Sequence, residues 1–189
     1  MSAQPSIVNK IVALHRAFDK AGLAHAFGGA LALAWCTQQA RGTIDIDVNV
    51  FVDSARSAEV LDALPKAVVR TPADLERCVR DGQVRLWWDE TPLDLFTNTT
   101  GFHESASDRA VVHEFAGQEM AFLSCTDLAV FKAFFNRTRD WADLEDMLEV
   151  GALDIDRTLG VLVRYLGADD ERVRRLRDLA ETRNGPESK

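Results

Sequence analysis

The sequence is poor in residues that cross-link or kink a chain, since it has three cysteines and five prolines among 189 residues. Cys36, Cys78 and Cys125 are odd in number, far apart, and form no C-x-x-C pair. This spacing argues against a disulfide framework or a zinc site and fits a reducing compartment. We therefore expect a cytoplasmic protein without disulfide bonds.

Long apolar runs are also missing. The longest, Phe27 to Cys36, is far shorter than the ~20 residues that a membrane-spanning helix needs. Lys10, His15 and Asp19 interrupt the apolar positions near the N-terminus, which argues against a secretory signal. We expect no membrane partner.

Basic residues are outnumbered, with 22 Lys and Arg against 30 Asp and Glu, which gives a net charge of −8. This balance argues against a protein that coats nucleic acid with a broad basic surface, although a local basic patch is compatible with it. The chain is 47% hydrophobic, which is sufficient for a core, and its length suits one domain or a core with a helical appendage.

The pattern of apolar residues changes after residue 123. Before it, helical and strand patterns alternate. The predicted helices are 6–20, 30–39, 54–64 and 72–80, and the predicted strands are 24–27, 43–52, 84–88, 92–97, 110–115 and 119–123. Ser124 to Asp127 is typical of a helix capping box, and all that follows is predicted to be helical. We expect an α/β core at 1–123 and a helical lobe at 124–189 packed on it.

Two acids stand close together in the clearest strand pattern, 43–52. Because side chains alternate along a strand, Asp45 and Asp47 share the face opposite Ile46 and Val48. Neighbouring carboxylates raise each other's pKa unless a cation relieves their repulsion, and Mg²⁺ prefers such oxygen ligands. The alternative is a solvent-facing strand whose acids pair with arginines such as Arg41.

A third acid, Asp94, points away from the face shared by Leu93 and Leu95. Three carboxylates on neighbouring strands are typical of a two-metal site, although Asp94 could also be a strand-end acid near a turn. Gly28 and Gly29 lie between a strand and a helix, where bare backbone N–H groups favour a phosphate. The alternative for the two glycines is a simple tight turn.

These pieces together resemble the nucleotidyltransferase superfamily signature, in which a hydrophobic residue and Gly-Gly or Gly-Ser precede a helix and then D-x-D. The match runs from Phe27-Gly28-Gly29 to Arg41-Gly42-Thr43-Ile44-Asp45-Ile46-Asp47. The Arg-x-Thr-x-D-I-D form resembles minimal nucleotidyltransferases grouped with AbiEii-type and MenT-type toxins. Gly29 stands where toxins known to modify tRNA usually have serine.

The resemblance implies a polymerase-beta-like fold of the α/β (α+β) class, with a mixed-sheet core and a C-terminal helical lobe. It implies transfer of NMP from an NTP to a hydroxyl, with two Mg²⁺ ions on Asp45, Asp47 and Asp94. Gly28, Gly29, Arg41 and Thr43 would bind the nucleotide. The implied acceptor is RNA, tRNA in particular, and a toxin would have a cognate antitoxin.

Other acceptors and another class of function stay open. A small molecule, as in aminoglycoside-modifying relatives, or a protein side chain would fit the acidic net charge. A non-catalytic nucleotide-binding module would keep the same fold.

A second block, Lys132 followed by 139–146, resembles the family's helical "K … R-x-K-D-L-x-D-I" region. By this resemblance Lys132 would bind the triphosphate, and Asp143 or Asp140 would orient it. Alternatively, Lys132 is an ordinary exposed lysine of a helix, and the acids of 139–146 form a solvated face.

The remaining polar and aromatic residues give weaker signals. His15, His25, His103 and His113 form no metal-ligand spacing, so we expect structural roles for them. Trp87 and Trp88 point to opposite faces of a strand, so one could stack a base while the other belongs to the core.

Overall fold

A computed structural model describes residues 5–40 and 42–184, and within those ranges the chain forms nine α-helices and seven β-strands. The chain divides into two compact units, 1–32 with 40–124 and 33–39 with 125–189. The predicted boundary lies at residue 123, and the segment 33–39 is grouped with the second unit. Within the described residues, none of the helices combines the length and apolar character that crossing a membrane requires.

The seven strands form one mixed sheet, which confirms the predicted α/β fold with a mixed-sheet core. The strands are β1 His25–Phe27, β2 Ile46–Asp53, β3 Val68–Val69, β4 Gln83–Trp88, β5 Thr91–Asn98, β6 Val111–Phe115 and β7 Gln118–Phe122. Their order is β3-β4-β5-β2-β1-β7-β6. The pairs β2–β5 and β1–β7 are parallel, and the other neighbouring pairs are antiparallel.

Local capping chemistry explains where two helices of the first unit begin. The helices of this unit are α1 Ile7–Lys20, the first turn of α2 Gly29–Thr37, α3 Ser57–Ala63, α4 Pro72–Asp81 and α5 Gly101–Ser105. The Ser6 hydroxyl caps α1 by accepting from the N–H of Asn9, while Ile11, Leu14 and Phe18 form its buried stripe. Thr71 forms a capping box with Asp74 at the start of α4.

One predicted strand is shorter at its start than expected. The prediction began at Thr43, but β2 begins at Ile46, so Asp45 lies in the loop just before the strand. Ile46 pairs with Leu93, and β5 itself begins only two residues earlier, at Thr91. The sheet therefore offers little backbone to extend β2 backwards, and Ile44 is 75% exposed instead of joining the apolar face.

The second unit is helical, as predicted for the residues after 124. It contains α6 Cys125–Phe135, α7 Thr138–Glu149, α8 Ile155–Leu166 and α9 Glu171–Asn184. Buried apolar side chains from all four helices form its core; they include Ala129, Leu144, Leu162, Val173 and Leu176.

The expectation of a chain without disulfide bonds is wrong. Cys36 of α2 and Cys125 of α6 are joined by a disulfide, with their Cα atoms 5.5 Å apart. They are 89 residues apart in sequence, so their spacing carried no sign of a contact that the fold creates. Cys78 is a buried free thiol, and burial raises its pKa.

Candidate functional site

The loop before β2 holds Asp45 through a local hydrogen-bond pair. The Thr43 hydroxyl donates to the Asp45 carbonyl at 3.0 Å and accepts from the Asp45 N–H at 3.2 Å. Thr43 was predicted to bind the nucleotide, but in this arrangement its hydroxyl fixes the backbone that presents Asp45. Arg41, the other loop residue predicted to bind nucleotide, lies outside the described residues.

Asp47 and Asp94 are direct neighbours across the parallel pair β2–β5. Adjacent strands lie ~4.8 Å apart, so the two side chains leave the sheet side by side on the same face. The residues that alternate with them, Ile46 and Val48 on β2 and Leu93 on β5, are fully buried on the other face. The sheet therefore brings two of the three predicted carboxylates together, and Asp45 enters from the loop.

Arg85 is a member of this cluster that sequence reasoning missed. It lies opposite Asp94 in the antiparallel pair β4–β5. Its Nε donates to Asp94 Oδ1 at 2.8 Å, its Nη2 donates to Asp94 Oδ2 at 2.5 Å, and Nη2 also lies 3.6 Å from Asp45 Oδ2. The hydrogen bonds to Asp94 raise the pKa of Arg85 above its usual range.

The pairing with Arg85 partly matches the alternative in which arginines bridge the acids. The bridging residue is Arg85, however, and its side chain is 48% exposed. Because solvent reaches this guanidinium, a divalent cation can compete with it for Asp94, and a phosphate can compete with Asp94 for Arg85. The signal available in the sequence was the alternation Val84, Arg85, Leu86, which places Arg85 on the open face of its strand.

The diglycine turn lies directly against Asp47. The Gly28 N–H donates to the Asp47 carbonyl oxygen at 2.9 Å. Gly29 has φ +50°, and a Cβ there would overlap the Asp47 carboxylate. A Cβ at Gly28 would lie 3.1 Å from Asn49 Nδ2 and 3.2 Å from Leu123 Cδ1. Close packing on Asp47 therefore requires glycine at position 29, and position 28 is tight for any side chain.

One predicted detail is corrected by this geometry. Gly28 and Gly29 were both expected to offer backbone N–H groups to phosphates, but the Gly28 N–H is already bonded to Asp47. Helix α2 begins at Gly29, and the first N–H groups of a helix have no partner within it. The amides of Gly29 and Ala30 are thus the ones placed to meet an anion beside the carboxylates.

The donor set suits a hard divalent cation. Asp45, Asp47 and Asp94 offer carboxylate oxygens, the ligand type that Mg²⁺ prefers. Because Gly29 has no side chain, the start of α2 lies directly against the Asp47 carboxylate, which brings the first amides of the helix close to the acids. These residues therefore fit the two Mg²⁺ ions and the NTP that the resemblance implies.

Lys132 and Asp143, the other predicted site residues, pair with each other in the second unit. Lys132 Nζ donates to Asp143 Oδ2 at 2.5 Å and lies 3.8 Å from Asp140 Oδ1. Arg137 Nε donates to Asp140 Oδ2 at 2.7 Å. The side chains of Lys132, Asp140 and Asp143 are at most 9% exposed, whereas that of Arg137 is 65% exposed. The lysine is not the exposed helix lysine that the alternative described.

The two tryptophans of β4 take opposite faces. Trp88 is buried, whereas Trp87 is 47% exposed and shares its face with Arg85. Trp87 lies opposite Pro92 in the same strand pair that sets Arg85 opposite Asp94. Two residues along a strand span ~7 Å, so an exposed indole stands near the carboxylate cluster on one open face of the sheet.

No protein-family model matches the chain, and no curated protein matches it. Several solved structures do match it. The solution structure of the antibiotic-resistance factor ANT(2'')-Ia has a TM-score of 0.52 at 18% identity, with 94% of this chain and 92% of that chain covered.

Two crystal structures give similar values. ANT(2'')-Ia in complex with adenylyl-2''-tobramycin has a TM-score of 0.53 at 17% identity, over 94% of this chain and 98% of that chain. An antigenic nucleotidyltransferase-like protein from Paracoccidioides brasiliensis has a TM-score of 0.52 at 14% identity, over 97% of this chain and 92% of that chain. This chain therefore has the fold of the nucleotidyltransferases.

Proposed function

We propose that this chain is a Mg²⁺-dependent nucleotidyltransferase that moves an NMP from an NTP to a hydroxyl acceptor. The observation that carries the proposal is that Asp47 and Asp94 lie side by side on β2 and β5, next to a diglycine turn that packs on Asp47. Asp45 lies 3.6 Å from the Arg85 side chain that binds Asp94, so it belongs to the same cluster. Asp45, Asp47 and Asp94 would hold two Mg²⁺ ions. When bound, Mg²⁺ supplies positive charge to the phosphates and to the attacking and leaving oxygens.

The residues of the chain bind and orient the substrates. The first-turn amides of α2, from Gly29 and Ala30, would hold the phosphates of the donor. Asp94 would accept the proton of the acceptor hydroxyl. The hydroxyl oxygen then bonds to the α-phosphorus of the NTP, and pyrophosphate leaves. Arg85 would turn from Asp94 toward the phosphates when the donor binds, since its side chain is half exposed.

Lys132 is proposed to steady the triphosphate, with Asp143 as the residue that orients it. Support comes from the resemblance of the helical block and from the direct Lys132–Asp143 hydrogen bond. A buried cation that is held by two acids keeps a fixed position, which suits binding of a specific phosphate group.

The first proposed acceptor is RNA, tRNA in particular, as the resemblance to the toxin branch implies, and a cognate antitoxin would accompany that role. Trp87 would offer an aromatic face on which a base can stack. Arg41 and Thr43 would contribute to nucleotide binding at the loop before β2.

A small-molecule acceptor is the second candidate. It is favoured because two arginines of α9 contact residues of their own chain. Arg172 is bonded to Asp170 and to the Phe134 carbonyl, and Arg175 lies over the Trp141 ring at 4.4 Å. These cations contact their own chain, and the net charge of −8 attracts a cationic acceptor better than a polyanion. ANT(2'')-Ia, which shares the fold, has been solved with an adenylylated aminoglycoside.

The test incubates the full chain with Mg²⁺ and each labelled NTP in turn, with total RNA, with an aminoglycoside mixture, or with neither. We expect label on one acceptor class and loss of that label by roughly 10³-fold or more in Asp47→Asn. Asp62→Asn, which changes an exposed acid in α3, should transfer at the wild-type rate.

Label on tRNA-sized bands supports the RNA acceptor, and label on the aminoglycoside supports the small molecule. Metal-dependent NTP binding without any labelled product would contradict transfer and leave a nucleotide-binding module. Full transfer by Asp47→Asn would exclude the carboxylate cluster as the site.

A further inference from the structure

Two histidines and an acid, which the sequence analysis expected to be structural, meet in the first unit. His15 and Asp19 lie one turn apart on α1, and His25 is the first residue of β1. One ligand atom from each lies within 4.8 Å of the others. The three residues line a cavity of about 410 Å³, together with Glu119 and Phe51.

The cluster is distinct from the carboxylate site. His25 begins β1, and the diglycine turn that packs on Asp47 follows the end of this strand. The two ends are three residues apart, which is ~10 Å along a strand. No residue belongs to both groups, so the histidine cluster needs an explanation of its own.

The hydrogen bonds fix which nitrogen of His25 can bind a ligand. Its Nδ1 lies 2.8 Å from the Leu23 carbonyl oxygen, and a carbonyl only accepts, so Nδ1 carries a hydrogen. Its Nε2 lies 2.9 Å from His15 Nδ1, so the two nitrogens share one proton. Metal-binding histidines almost always donate their second N–H to a carbonyl or a carboxylate in this way.

The two histidines of the cluster are buried, and its acid is exposed. The residues His15 and His25 are 8% and 7% exposed, whereas the Asp19 side chain is 62% exposed. Asp19 Oδ2 lies 3.3 Å from His15 Nε2. Two imidazoles at the wall of a cavity and one carboxylate at its solvent side form a set that a cation can enter.

We propose that His15, Asp19 and His25 bind a divalent transition-metal ion, with Zn²⁺ as the best fit. Imidazole nitrogens with one carboxylate suit zinc and its neighbours, whereas Mg²⁺ prefers oxygen. Each Zn–N bond is ~2.0–2.1 Å, so two nitrogens of a tetrahedral ion lie roughly 3.3 Å apart. Binding would replace the 2.9 Å hydrogen bond between His15 Nδ1 and His25 Nε2 by bonds to the ion, so the two rings must rotate until both offer a lone pair to it. The cavity leaves the fourth position open to water or a small ligand.

The site is tested by equilibrium binding of Zn²⁺ to the full chain after chelator treatment, with excess Mg²⁺ present to occupy the carboxylate cluster. We expect one Zn²⁺ per chain, with affinity lowered by roughly 100-fold in His25→Ala and by about 10-fold in Asp19→Asn. His113→Ala, which removes a histidine from β6 outside the cluster, should bind Zn²⁺ like the wild type.

Asp19→Asn keeps the test meaningful if the buried His25→Ala variant fails to fold, because Asp19 is exposed. Co²⁺ provides a second readout, since a tetrahedral site gives it much stronger visible absorption than octahedral coordination does. Unsaturable Zn²⁺ binding, equal affinity in Asp19→Asn and wild type, or a weak octahedral Co²⁺ spectrum would overturn the site. None of these results depends on nucleotidyl transfer.

Discussion

Two ionic clusters in this molecule differ in where their charges meet solvent. The sheet cluster comprises Asp45, Asp47, Asp94 and Arg85, and its arginine side chain is 48% exposed. The helical cluster comprises Lys132, Arg137, Asp140 and Asp143; its lysine and both acids are at most 9% exposed, and only Arg137, at 65%, reaches solvent. The central ion pair of the helical cluster, Lys132 with Asp143, is therefore more shielded from water than the Arg85–Asp94 pair.

This difference has energetic consequences. An ion pair in solvent contributes little to stability, so the sheet cluster can exchange partners when a metal or a phosphate arrives. A buried pair is costly to break, because the remaining charge has no solvent to stabilise it. We therefore expect substitutions in the sheet cluster to act on activity, and substitutions in the helical cluster to act first on stability.

The largest effect on stability is expected from Lys132→Met. It leaves Asp143 buried without its cation, so the free energy of unfolding should fall by ~3–5 kcal/mol. Chemical denaturation would measure the loss, with Lys20→Met at the exposed end of α1 as the control. The double variant Lys132→Met with Asp143→Leu should recover much of the stability. A Lys132→Met variant of unchanged stability would contradict the structural part of this role and leave only the proposed contact with the triphosphate.

A pH titration should distinguish the two units. Burial lowers the pKa of His103, in α5 of the first unit, from 6.5 to about 4. The unfolded chain therefore binds a proton that the folded chain refuses, and up to ~3 kcal/mol of stability is lost as the pH falls from 6.5 to 4.

Asp170 of the second unit behaves differently in that window. Hydrogen bonds from Arg172 lower the pKa of Asp170 to about 2, so its contribution is lost only below pH 3.8. As the pH falls from 6.5 to 4, hydrogen exchange should show that amide protection decreases in the first unit before it decreases in the second. In His103→Gln the protection of the first unit should depend less on pH. Equal loss of protection in both units between pH 6.5 and 4 would contradict the assignment.

Three glycine-to-alanine substitutions test how closely the backbone must pack on the sheet cluster. Gly29→Ala places a methyl group against the Asp47 carboxylate at a positive φ, so we expect ~1–3 kcal/mol of destabilisation and a loss of transfer. Gly28→Ala should cost less, because Asn49 and Leu123 can shift by a few tenths of an ångström. Gly42→Ala meets nothing within 4 Å and should behave like the wild type within ~0.5 kcal/mol. Thermal melts and transfer assays on the three variants would test that order.

The smallest expected effect is that of Arg85→Gln. The Arg85 side chain is 48% exposed and that of Asp94 is 16% exposed, so loss of the pair should change stability by about 1 kcal/mol. Removing the competing cation should strengthen Mg²⁺ binding to the three acids by several-fold, as measured by calorimetric titration. Weaker Mg²⁺ binding in Arg85→Gln would mean that Arg85 holds the acids in place for the metal.

Most helices and strands were predictable because their signals are local. The capping residues of α1 and α4 and the alternation in β4 and β5 lie within a few residues of what they determine. The two-residue strand β3 and the five-residue helix α5 were missed, because segments this short carry no clear period. The late start of β2, at Ile46, followed from where its partner strand β5 begins, and the β2 segment alone does not encode that position.

The sequence by itself determined the mixed α/β fold, the helical end of the chain, and the pattern of two glycines and three acids. It did so because strand alternation and helical spacing are properties of neighbouring residues. Only the tertiary structure decided that Arg85 faces Asp94, that Cys36 meets Cys125, and that His15 meets His25. Contacts of this kind depend on sheet register and on how helices pack, so residues far apart in the chain become partners without any local signal.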